Sequence, residues 1–529
     1  MKYALVTGGS RGIGRAVSCK LAEMGYFILI NYQNNDAEAE KTLQLVQEKG
    51  SNGELMKFDV TDPAAITLAL GNWASQHPDE YIEVLINNAG IRKDNLMLWM
   101  TGEEWSKVLD ISLNGFFNVT QPLLKNMLVK RYGRIVNIVS LSGIQGMPGQ
   151  ANYSAAKGGV IAATKALAQE VAKKIKEKEI EVIKRSVNKV PYIAKNGVFD
   201  DLSETRLGWW TNGFWGGMMW QLYQATKEPI YKEVAENLEK KMDSVLLDSS
   251  VMSHDSGFRW LPTAVANYRL SGSKESRNRG MIAASNLAGR YNAKGEYIVA
   301  WNSRADWAII DCMMNLPLLY WAYEESGNPS FLHIAMNHAD TAAKVFIRPD
   351  GSSRHIVEFD PVTGDCNGSY GGQGMSYGSS WTRGQSWALY GFTLSYMHTK
   401  KERYLETAER VADYFISCIP ESGLIPVDFY QDPSCDWRDD TAGAIAACGL
   451  IELSKVTKNW KKQKYMDAAI RLLKAIDEKG CNYDPNVDEL LEKCTAAYNE
   501  PDHNFPMIYA DYYFIEAIWK LTGDELFIW

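Results

Sequence analysis

Two aspartates in contrasting surroundings are the strongest candidates for chemistry in this chain of 529 residues. Asp311 lies in the apolar segment WAIIDCMMNLPLL. An ionised carboxylate there costs several kcal/mol unless it is paired or hydrogen-bonded. Asp255 lies in SHDSGFRW at the start of a predicted helix, where free backbone N–H groups favour a charged carboxylate. Two carboxyl groups in opposed environments are the pattern that separates an acid from a base. The structural alternatives are an ion pair of Asp311 with a cation such as Arg304, and an N-cap at Asp255.

A third element, WTRGQSW, places Arg383 and Trp387 four residues apart and therefore on one helix face. A guanidinium can grip a carboxylate with two hydrogen bonds, and an indole can support a sugar ring. The alternative is that Arg383 only begins a helix and that Trp387 belongs to the core. The Gly- and Ser-rich stretch over residues 350–380 is too long for an inert connection and is typical of a binding loop.

A glycine-rich turn near the N-terminus predicts a nucleotide-binding segment. The apolar run at residues 3–7 is followed by GGSRGIG over residues 8–14 and then by a helical pattern. This order lets backbone N–H groups approach a pyrophosphate at a helix N-terminus. Buried parallel-strand signals recur at residues 58–60, 84–86 and 135–140. The alternation predicts a doubly wound α/β sheet.

Residues 1 to about 173 resemble the short-chain dehydrogenase/reductase family, and most closely its 3-oxoacyl-acyl-carrier-protein reductases, through TGGSRGIG, NNAG and YSAAK. The resemblance implies that Tyr153 is the general acid, assisted by Lys157. It also implies that Ser140 holds a substrate carbonyl and that Asn114 anchors a proton-relay water.

The same resemblance implies a site for NADP, because a cation such as Arg11 beside the glycines suits a 2′-phosphate. The other cofactor-binding residues that it implies are Gly8, Gly12, Gly14, Asp59 and Asn88. The segment departs from the family after the YSAAK helix, since neither a Pro-Gly turn nor a closing strand follows. We therefore expect an incomplete Rossmann-like sheet with an unpaired edge and one pocket wall missing, which disfavours reductase activity.

The rest of the chain carries a sixfold repeat of turns between helical patterns. A Ser or Thr followed by Lys or Gly recurs at Thr226, Ser271, Ser326, Thr399, Thr457 and Thr522. We expect each hydroxyl to cap the next helix and each glycine to take the left-handed conformation. About twelve helical stretches, four of them apolar and aromatic most of the way round, favour a closed (α/α)6 barrel over an open solenoid.

Residues 175–529 resemble the unsaturated glucuronyl hydrolases of glycoside hydrolase family 88, through WTNGFW, HDSGF, DCMMNLP, GQG, WTRGQSW and WRDD. The resemblance implies an (α/α)6 barrel that removes a 4,5-unsaturated uronic acid from lyase-generated oligosaccharides by hydrating the C4=C5 enol ether. Asp311 would protonate C4 and assist the water, and Asp255 would hold ring hydroxyls. The residues implied for substrate binding are Gln373, Arg383, Trp387, His254, His355, Trp210 and Trp215. Neither a metal nor an organic cofactor is implied for this reaction.

The composition of the chain limits the binding partners and the cellular location that we expect. A net charge of −8 argues against a partner such as nucleic acid or an anionic membrane surface. No apolar stretch is long enough to span a membrane, and the eight cysteines form no CxxC pair, so we expect reduced thiols in the cytoplasm. The sequence leaves the oligomeric state open.

The sequence thus predicts two domains, an incomplete Rossmann-like α/β sheet over residues 1–174 and an all-α (α/α)6 barrel over residues 175–529. Three functions are compatible with it. The barrel is a glycosidase; the first segment adds an NADPH-dependent reductase, making the protein bifunctional; or the first segment is a non-catalytic appendage of a fusion.

Overall fold

The computed structural model describes residues 2–78, 80–130 and 132–529. It divides into two compact units, of which unit 1 ends at Val171 and unit 2 begins at Ala172. The boundary that the sequence predicts at residue 174 lies in the same helix as this division. None of the helices in the described ranges is both long and apolar enough to cross a membrane.

Unit 1 is a parallel sheet with helices on its faces. Its strands are β1 (Tyr3–Val6), β2 (Phe27–Tyr32), β3 (Gly53–Lys57), β4 (Ile82–Asn87) and β5 (Arg134–Asn137). Its helices are α1 (Gly12–Glu23), α2 (Asp36–Glu48), α3 (Pro63–Gln76), α4 (Gly102–Leu109), α5 (Gly115–Val129), α6 (Ser142–Gln145) and α7 (Ala151–Ser186), which continues into unit 2.

The strand order is β3-β2-β1-β4-β5 and every pairing is parallel, which confirms the doubly wound sheet. The strand signal at residues 58–60 is misplaced, because β3 ends at Lys57 and those residues follow it. In the described part of the chain, β5 pairs with β4 alone. The sheet therefore ends at β5, as predicted.

Unit 2 consists mainly of helices. They are α8 (Asn212–Thr226), α9 (Pro229–Lys241), α10 (Asp243–Leu246), α11 (Ser256–Trp260), α12 (Ala266–Ser271), α13 (Lys274–Ala288), α14 (Pro317–Ser326), α15 (Pro329–Val345), α16 (Thr382–Thr399), α17 (Glu402–Ser417), α18 (Asp440–Val456), α19 (Asn459–Lys479) and α20 (Ile508–Thr522). Short strands occupy the loops: β6 (Ala194–Lys195), β7 (Val198–Phe199), β8 (Tyr291–Asn292), β9 (Tyr297–Ile298), β10 (Trp307–Ile309), β11 (Ile356–Phe359) and β12 (Cys366–Tyr370).

The helices of unit 2 form a closed double ring. The inner helices α8, α16, α18 and α20 are buried along most of their length, whereas α9, α13, α15 and α17 bury one face. The last inner helix, α20, packs against the first, α8, so the ring closes. An open solenoid has no such contact, and the predicted (α/α)6 barrel is confirmed.

Five of the six repeated turns lie between an inner helix and the outer helix that follows it, and the sixth, at Thr522, ends the last helix, α20. The residue after the hydroxyl is left-handed in five of them, at Lys227, Gly272, Gly327, Lys400 and Gly523. The prediction that the hydroxyl caps the next helix is wrong. Thr226, for example, is the last residue of α8 and its hydroxyl donates to Leu222 O at 2.7 Å, while Glu228 is the N-cap of α9.

The opposite end of the barrel carries the long connections, from each outer helix to the next inner one. One of them contains the segment of Asp311, which is not α-helical. β10 and a 3₁₀ turn, Ile310–Met314, precede α14, because β10 pairs with β11 and Pro317 begins the helix. The connections over residues 187–211, 242–255, 289–316 and 346–381 supply the cavity described below.

A buried acidic group on the second half of α7 makes the stability of unit 2 depend on pH. Glu179 is fully enclosed, and burial, with the nearby charge of Asp511, raises its pKa to about 8. A carboxyl that ionises at higher pH in the folded chain than in the unfolded chain destabilises the fold as pH rises between the two values.

We predict that Glu179→Gln removes part of this pH dependence. Between about pH 5 and pH 8 the free energy of unfolding of the wild type should fall by on the order of 3 kcal/mol more than that of the variant. The reason is that Glu179 ionises in the unfolded wild type but stays protonated in the folded one, whereas the glutamine of the variant does not ionise in either state. Thermal midpoints of unit 2 at the two pH values measure the difference. Glu181→Gln, an exposed position on the same helix, is the control, and equal slopes for all three proteins would contradict the prediction.

Candidate active site

A cavity of about 560 Å³ lies at the loop end of the barrel in unit 2. It is lined by Thr205, Arg206, Gly208, Trp209, Trp210, Val251, Ser253, His254, Asp255, Trp301, Ile309, Asp311 and Gln373. The two aspartates that the sequence singles out thus share one cavity. His254, Trp210 and Gln373, which the resemblance implies for substrate binding, lie there as well.

Asp311 sits on the 3₁₀ turn directly after β10, and it is largely buried. Its Oδ1 has no hydrogen-bond partner in the described structure and lies 3.5 Å from Nε2 of His355. Arg304, the cation considered as its structural partner, pairs instead with Asp306 at 2.7 Å. A buried carboxyl with an unused oxygen is suited to proton transfer rather than to a structural ion pair.

His355 is held in one orientation by the loop that follows it. Its Nδ1 accepts a hydrogen bond from the backbone N–H of Gln373 at 3.0 Å, so the neutral ring carries its proton on Nε2, toward Asp311. Gly372 makes this contact possible, since its φ is +58° and a Cβ there would lie 1.9 Å from Nδ1. Gln373 in turn donates from Nε2 to Ala496 O at 2.8 Å.

Asp255 occupies the N-cap position of α11, but its side chain does not cap the helix. Its Oδ2 instead accepts from the Ser253 hydroxyl at 3.1 Å, and that hydroxyl accepts from Nη2 of Arg259 at 2.9 Å. Arg259 is fully buried and also donates to two backbone carbonyls. Its burial lowers the pKa of the guanidinium to about 10, which still leaves it charged near neutral pH. This cation orients Asp255 through Ser253.

His254 lies on the other side of Asp255, with Nε2 3.3 Å from Oδ1. Burial lowers the pKa of its imidazole, so the ring is neutral near pH 7. Each carboxyl group therefore has its own imidazole beside it.

Arg383, Trp387 and Trp215 do not line the cavity. Arg383 is 1% exposed, and its guanidinium is bound by Asp439 at 2.8 Å and by the carbonyls of Thr495 and Ala496. Trp387 is enclosed in the core of unit 2, as is Trp215. The physical reason is their place on the inner helices α16 and α8, which are covered on all sides. For Arg383 and Trp387 this is the structural alternative considered above.

Several cavity residues were not singled out from the sequence. Trp209 and Trp301 add two indoles, Ser253 supports Asp255, and Arg206 brings a positive charge. The doublet of Trp209 and Trp210 in a loop was an available signal, because two adjacent half-buried indoles in a connection offer flat faces to a ligand.

Unit 1 has a separate cavity of about 720 Å³ at the carboxyl edge of its sheet. Its lining includes Gly8, Arg11, Gly12, Asp59, Asn88, Tyr153 and Lys157 from the predicted set. Gly14, Asn114 and Ser140 are not part of the lining. Gly14 has a packing role instead, since a Cβ there would lie 2.2 Å from Gly8 O. The Asn114 amide donates to Asp110 at 2.8 Å, and the Ser140 hydroxyl donates to that of Ser142 at 3.2 Å.

Lys157 is almost fully buried beside Tyr153. Its Nζ donates to Ile138 O at 2.7 Å and lies 5.8 Å from the centre of the Tyr153 ring. Burial lowers the pKa of this ammonium group. Across the described residues of both units, no group of three or more His, Cys, Asp or Glu side chains is arranged to hold a metal ion.

Comparison with known proteins assigns a family to each unit. Residues 2–184 match the short chain dehydrogenase family, and residues 182–513 match Glycosyl Hydrolase Family 88. The chain is 34% identical over 330 residues to an unsaturated chondroitin disaccharide hydrolase of Streptococcus pneumoniae, covering 60% of this chain and 83% of that protein. A 3-oxoacyl-acyl-carrier-protein reductase of Staphylococcus aureus is 42% identical over 171 residues, which is 32% of this chain and 69% of the reductase.

Solved structures give the same result for unit 2. The unsaturated glucuronyl hydrolase of Bacillus sp. GL1 superposes with a TM-score of 0.62 at 30% identity, covering 68% of this chain and 96% of that one. A mutant of the Streptococcus agalactiae enzyme complexed with dGlcA-GalNAc6S superposes with a TM-score of 0.59 at 28% identity, covering 69% and 94%. Both resemblances stated from the sequence are confirmed.

We predict that Gly372→Ala lowers kcat by about a hundredfold, because its Cβ displaces the His355 ring from Asp311 and misplacement of about 1 Å has effects of that size. The rate is measured on an unsaturated disaccharide. Gly368→Ala is the control in the same loop, since nothing lies within 4 Å of the added carbon. Equal rates for the two variants would contradict the positioning of His355 by this glycine.

Proposed function

Because the chain belongs to Glycosyl Hydrolase Family 88 over residues 182–513, we propose that unit 2 removes a 4,5-unsaturated uronic acid from the non-reducing end of lyase-generated oligosaccharides. The observation that carries this proposal is the placement of Asp255 and Asp311 on one cavity, with a neutral or oriented imidazole beside each. Relatives named unsaturated chondroitin disaccharide hydrolases support a uronate-containing disaccharide as the substrate class.

The reaction would begin with proton transfer from the Asp311 carboxyl to C4 of the enol ether. Water then adds to C5 and gives its proton to the Asp311 carboxylate, which restores the acid. The product is a hemiketal at C5. Its opening forms the C5 ketone and leaves a hemiacetal at C1, which collapses to an aldehyde and releases the neighbouring sugar. One water is consumed, and proton transfer is complete without any further group.

Asp255 would stabilise the positive charge that develops at C5 and accept hydrogen bonds from ring hydroxyls. Its orientation by Ser253 and Arg259 fits that role, because it leaves Oδ1 toward His254 and the cavity. Trp210, half-buried at the cavity wall, would support a sugar ring, while Gln373 and His355 would lie against the uronate. Arg383, Trp387 and Trp215 have no direct contact with substrate in this proposal.

We predict that Asp311→Asn abolishes activity without unfolding unit 2, because an amide cannot donate the proton to C4. The assay is the loss of ultraviolet absorbance of the conjugated double bond of an unsaturated disaccharide. Asp306→Asn is the control, since Asp306 pairs with Arg304 outside the cavity lining. A wild type that leaves the absorbance unchanged would refute the function, and an active Asp311→Asn would refute the role of Asp311.

A second proposal concerns unit 1, which we infer binds NADP. Its residues fit a dinucleotide: Gly8 and Gly12 have positive φ, and the close approach of Gly14 to Gly8 O leaves no room for a side chain in the turn. Residues 33–35 after β2 carry no acid that would bind a ribose 2′-hydroxyl, and exposed Arg11 lies across the same cavity. NADP, when bound, would supply hydride chemistry at its nicotinamide.

The sheet of unit 1 argues against reductase turnover. It ends at β5 in the described residues, and the chain covers 69% of its reductase relative. The wall that would enclose a carbonyl substrate next to Tyr153 is therefore incomplete, and we infer binding rather than reduction. A cytoplasmic location would suit both proposals, because NADP is found there and the eight cysteines are free thiols.

We predict that NADPH binds the full chain and that Arg11→Ala weakens its binding by about tenfold while leaving NADH binding unchanged, since only NADPH carries the 2′-phosphate. Nucleotide fluorescence measures both affinities. Lys20→Ala, an exposed cation farther along α1, is the control. No NADPH binding by the wild type, or an equal effect of Arg11→Ala on both nucleotides, would contradict the proposal.

A further inference from the structure

Arg206 is the one charged residue of the cavity lining to which the proposed reaction gives no role. Its side chain is exposed, and its guanidinium carbon lies 3.7 Å from the centre of the Trp209 ring. Among the residues that the structure describes, no carboxylate pairs with this guanidinium and no side-chain hydrogen bond leaves it. The charge is thus held against an aromatic face with its N–H groups available.

The backbone of Arg206 is fixed by the barrel. Its carbonyl accepts from the backbone N–H of Trp209 at 2.9 Å and from Nδ2 of Asn212 at 3.0 Å. Asn212 is the fully buried first residue of the inner helix α8. Stacking on Trp209 and this anchored turn leave the guanidinium less freedom than an ordinary surface arginine has.

The charges of the cavity lining indicate that Arg206 attracts an anionic ligand. The lining contains two carboxylates, Asp255 and Asp311, and Arg206 is the one Lys or Arg among the lining residues. Three further guanidinium groups near these acids lie outside the lining. Arg259 is bound to carbonyls and Ser253, Arg290 to carbonyls and Asn302, and Arg383 to Asp439. An anionic ligand in this cavity therefore has Arg206 as its one cationic contact among the lining residues, while the carboxylate of Asp255 repels it.

We propose that Arg206, stacked on Trp209, binds an oxyanion of the substrate and so decides which oligosaccharides the cavity accepts. This inference rests on the proposed hydrolase function. The planar guanidinium can present two parallel N–H groups to a carboxylate or to a sulfate ester. In the proposed substrates the oxyanion has two sources, namely the uronate carboxylate of the ring that is cleaved and a sulfate on the neighbouring sugar.

The test compares wild type, Arg206→Gln and Arg206→Lys on two unsaturated chondroitin disaccharides, one without sulfate and one with a single sulfate. We expect Arg206→Gln to raise KM by about tenfold or more with kcat nearly unchanged, because a charge-assisted hydrogen bond to bound substrate is lost in ground and transition states alike. Arg206→Lys should recover part of the affinity, since it keeps the charge but not the fork. The KM of the wild type should rise with ionic strength more steeply than that of Arg206→Gln.

The two substrates separate the sources of the oxyanion. A rise in KM on both disaccharides supports contact with the uronate carboxylate, and a rise confined to the sulfated one supports contact with the sulfate. Arg403→Gln is the matched control, because Arg403 is also an exposed arginine stacked on an aromatic ring, with its Cζ 4.8 Å from the Tyr404 ring centre, but lies outside the cavity lining.

An unchanged KM of Arg206→Gln on both substrates, with an active wild type, overturns the role of Arg206 and leaves the hydrolase function standing. A wild type without activity on either disaccharide overturns both. Thermal midpoints establish that the variants fold, and Arg206→Lys gives a second measurement at the same position.

Discussion

The buried ion pair between Arg383 and Asp439 is the interaction on which the geometry of the cavity depends. Both side chains are almost completely removed from water, which is costly unless every donor is satisfied. The guanidinium offsets part of this cost by also donating to the carbonyls of Thr495 and Ala496. Two inner helices, α16 and the N-terminus of α18, are thereby tied to the loop that precedes α20. Loss of either partner would leave a charge unpaired in the core.

The same ion pair reaches the proposed acid through a continuous chain of contacts. Ala496 O accepts from Gln373 as well as from Arg383, the backbone N–H of Gln373 donates to His355, and His355 faces Asp311. Arg383 therefore acts as a positioning residue from behind the cavity wall. The motif WTRGQSW resembles the glycoside hydrolase family even though its Arg383 does not line the cavity. The motif supports the cavity wall from behind, which explains its presence.

The sequence predicts the architecture well and the orientation of single side chains less well. Apolar helices alternating with amphipathic ones, and turns after hydroxyl residues, are local signals, so the barrel could be inferred before its coordinates. The burial of Arg383 and Trp387 is set by ring closure between α20 and α8, which no local pattern contains. Arg206 was missed for the converse reason, because an exposed arginine in an irregular connection has no periodicity that marks it as functional.

Unit 1 keeps a cavity at the carboxyl edge of its sheet, although the sheet ends at β5 in the described residues. The lining of its cavity comes from segments that directly follow the five strands, for instance Gly8 after β1, Asp59 after β3 and Asn88 after β4. In a doubly wound sheet, ligands bind at the carboxyl ends of the strands, so a chain that stops after β5 retains these contacts. The enclosure of a second substrate depends on elements beyond β5, which this chain replaces with the helix that leads into the barrel. Under the functions proposed for unit 1, this shortening leaves the nucleotide cavity in place and removes the wall that reduction needs.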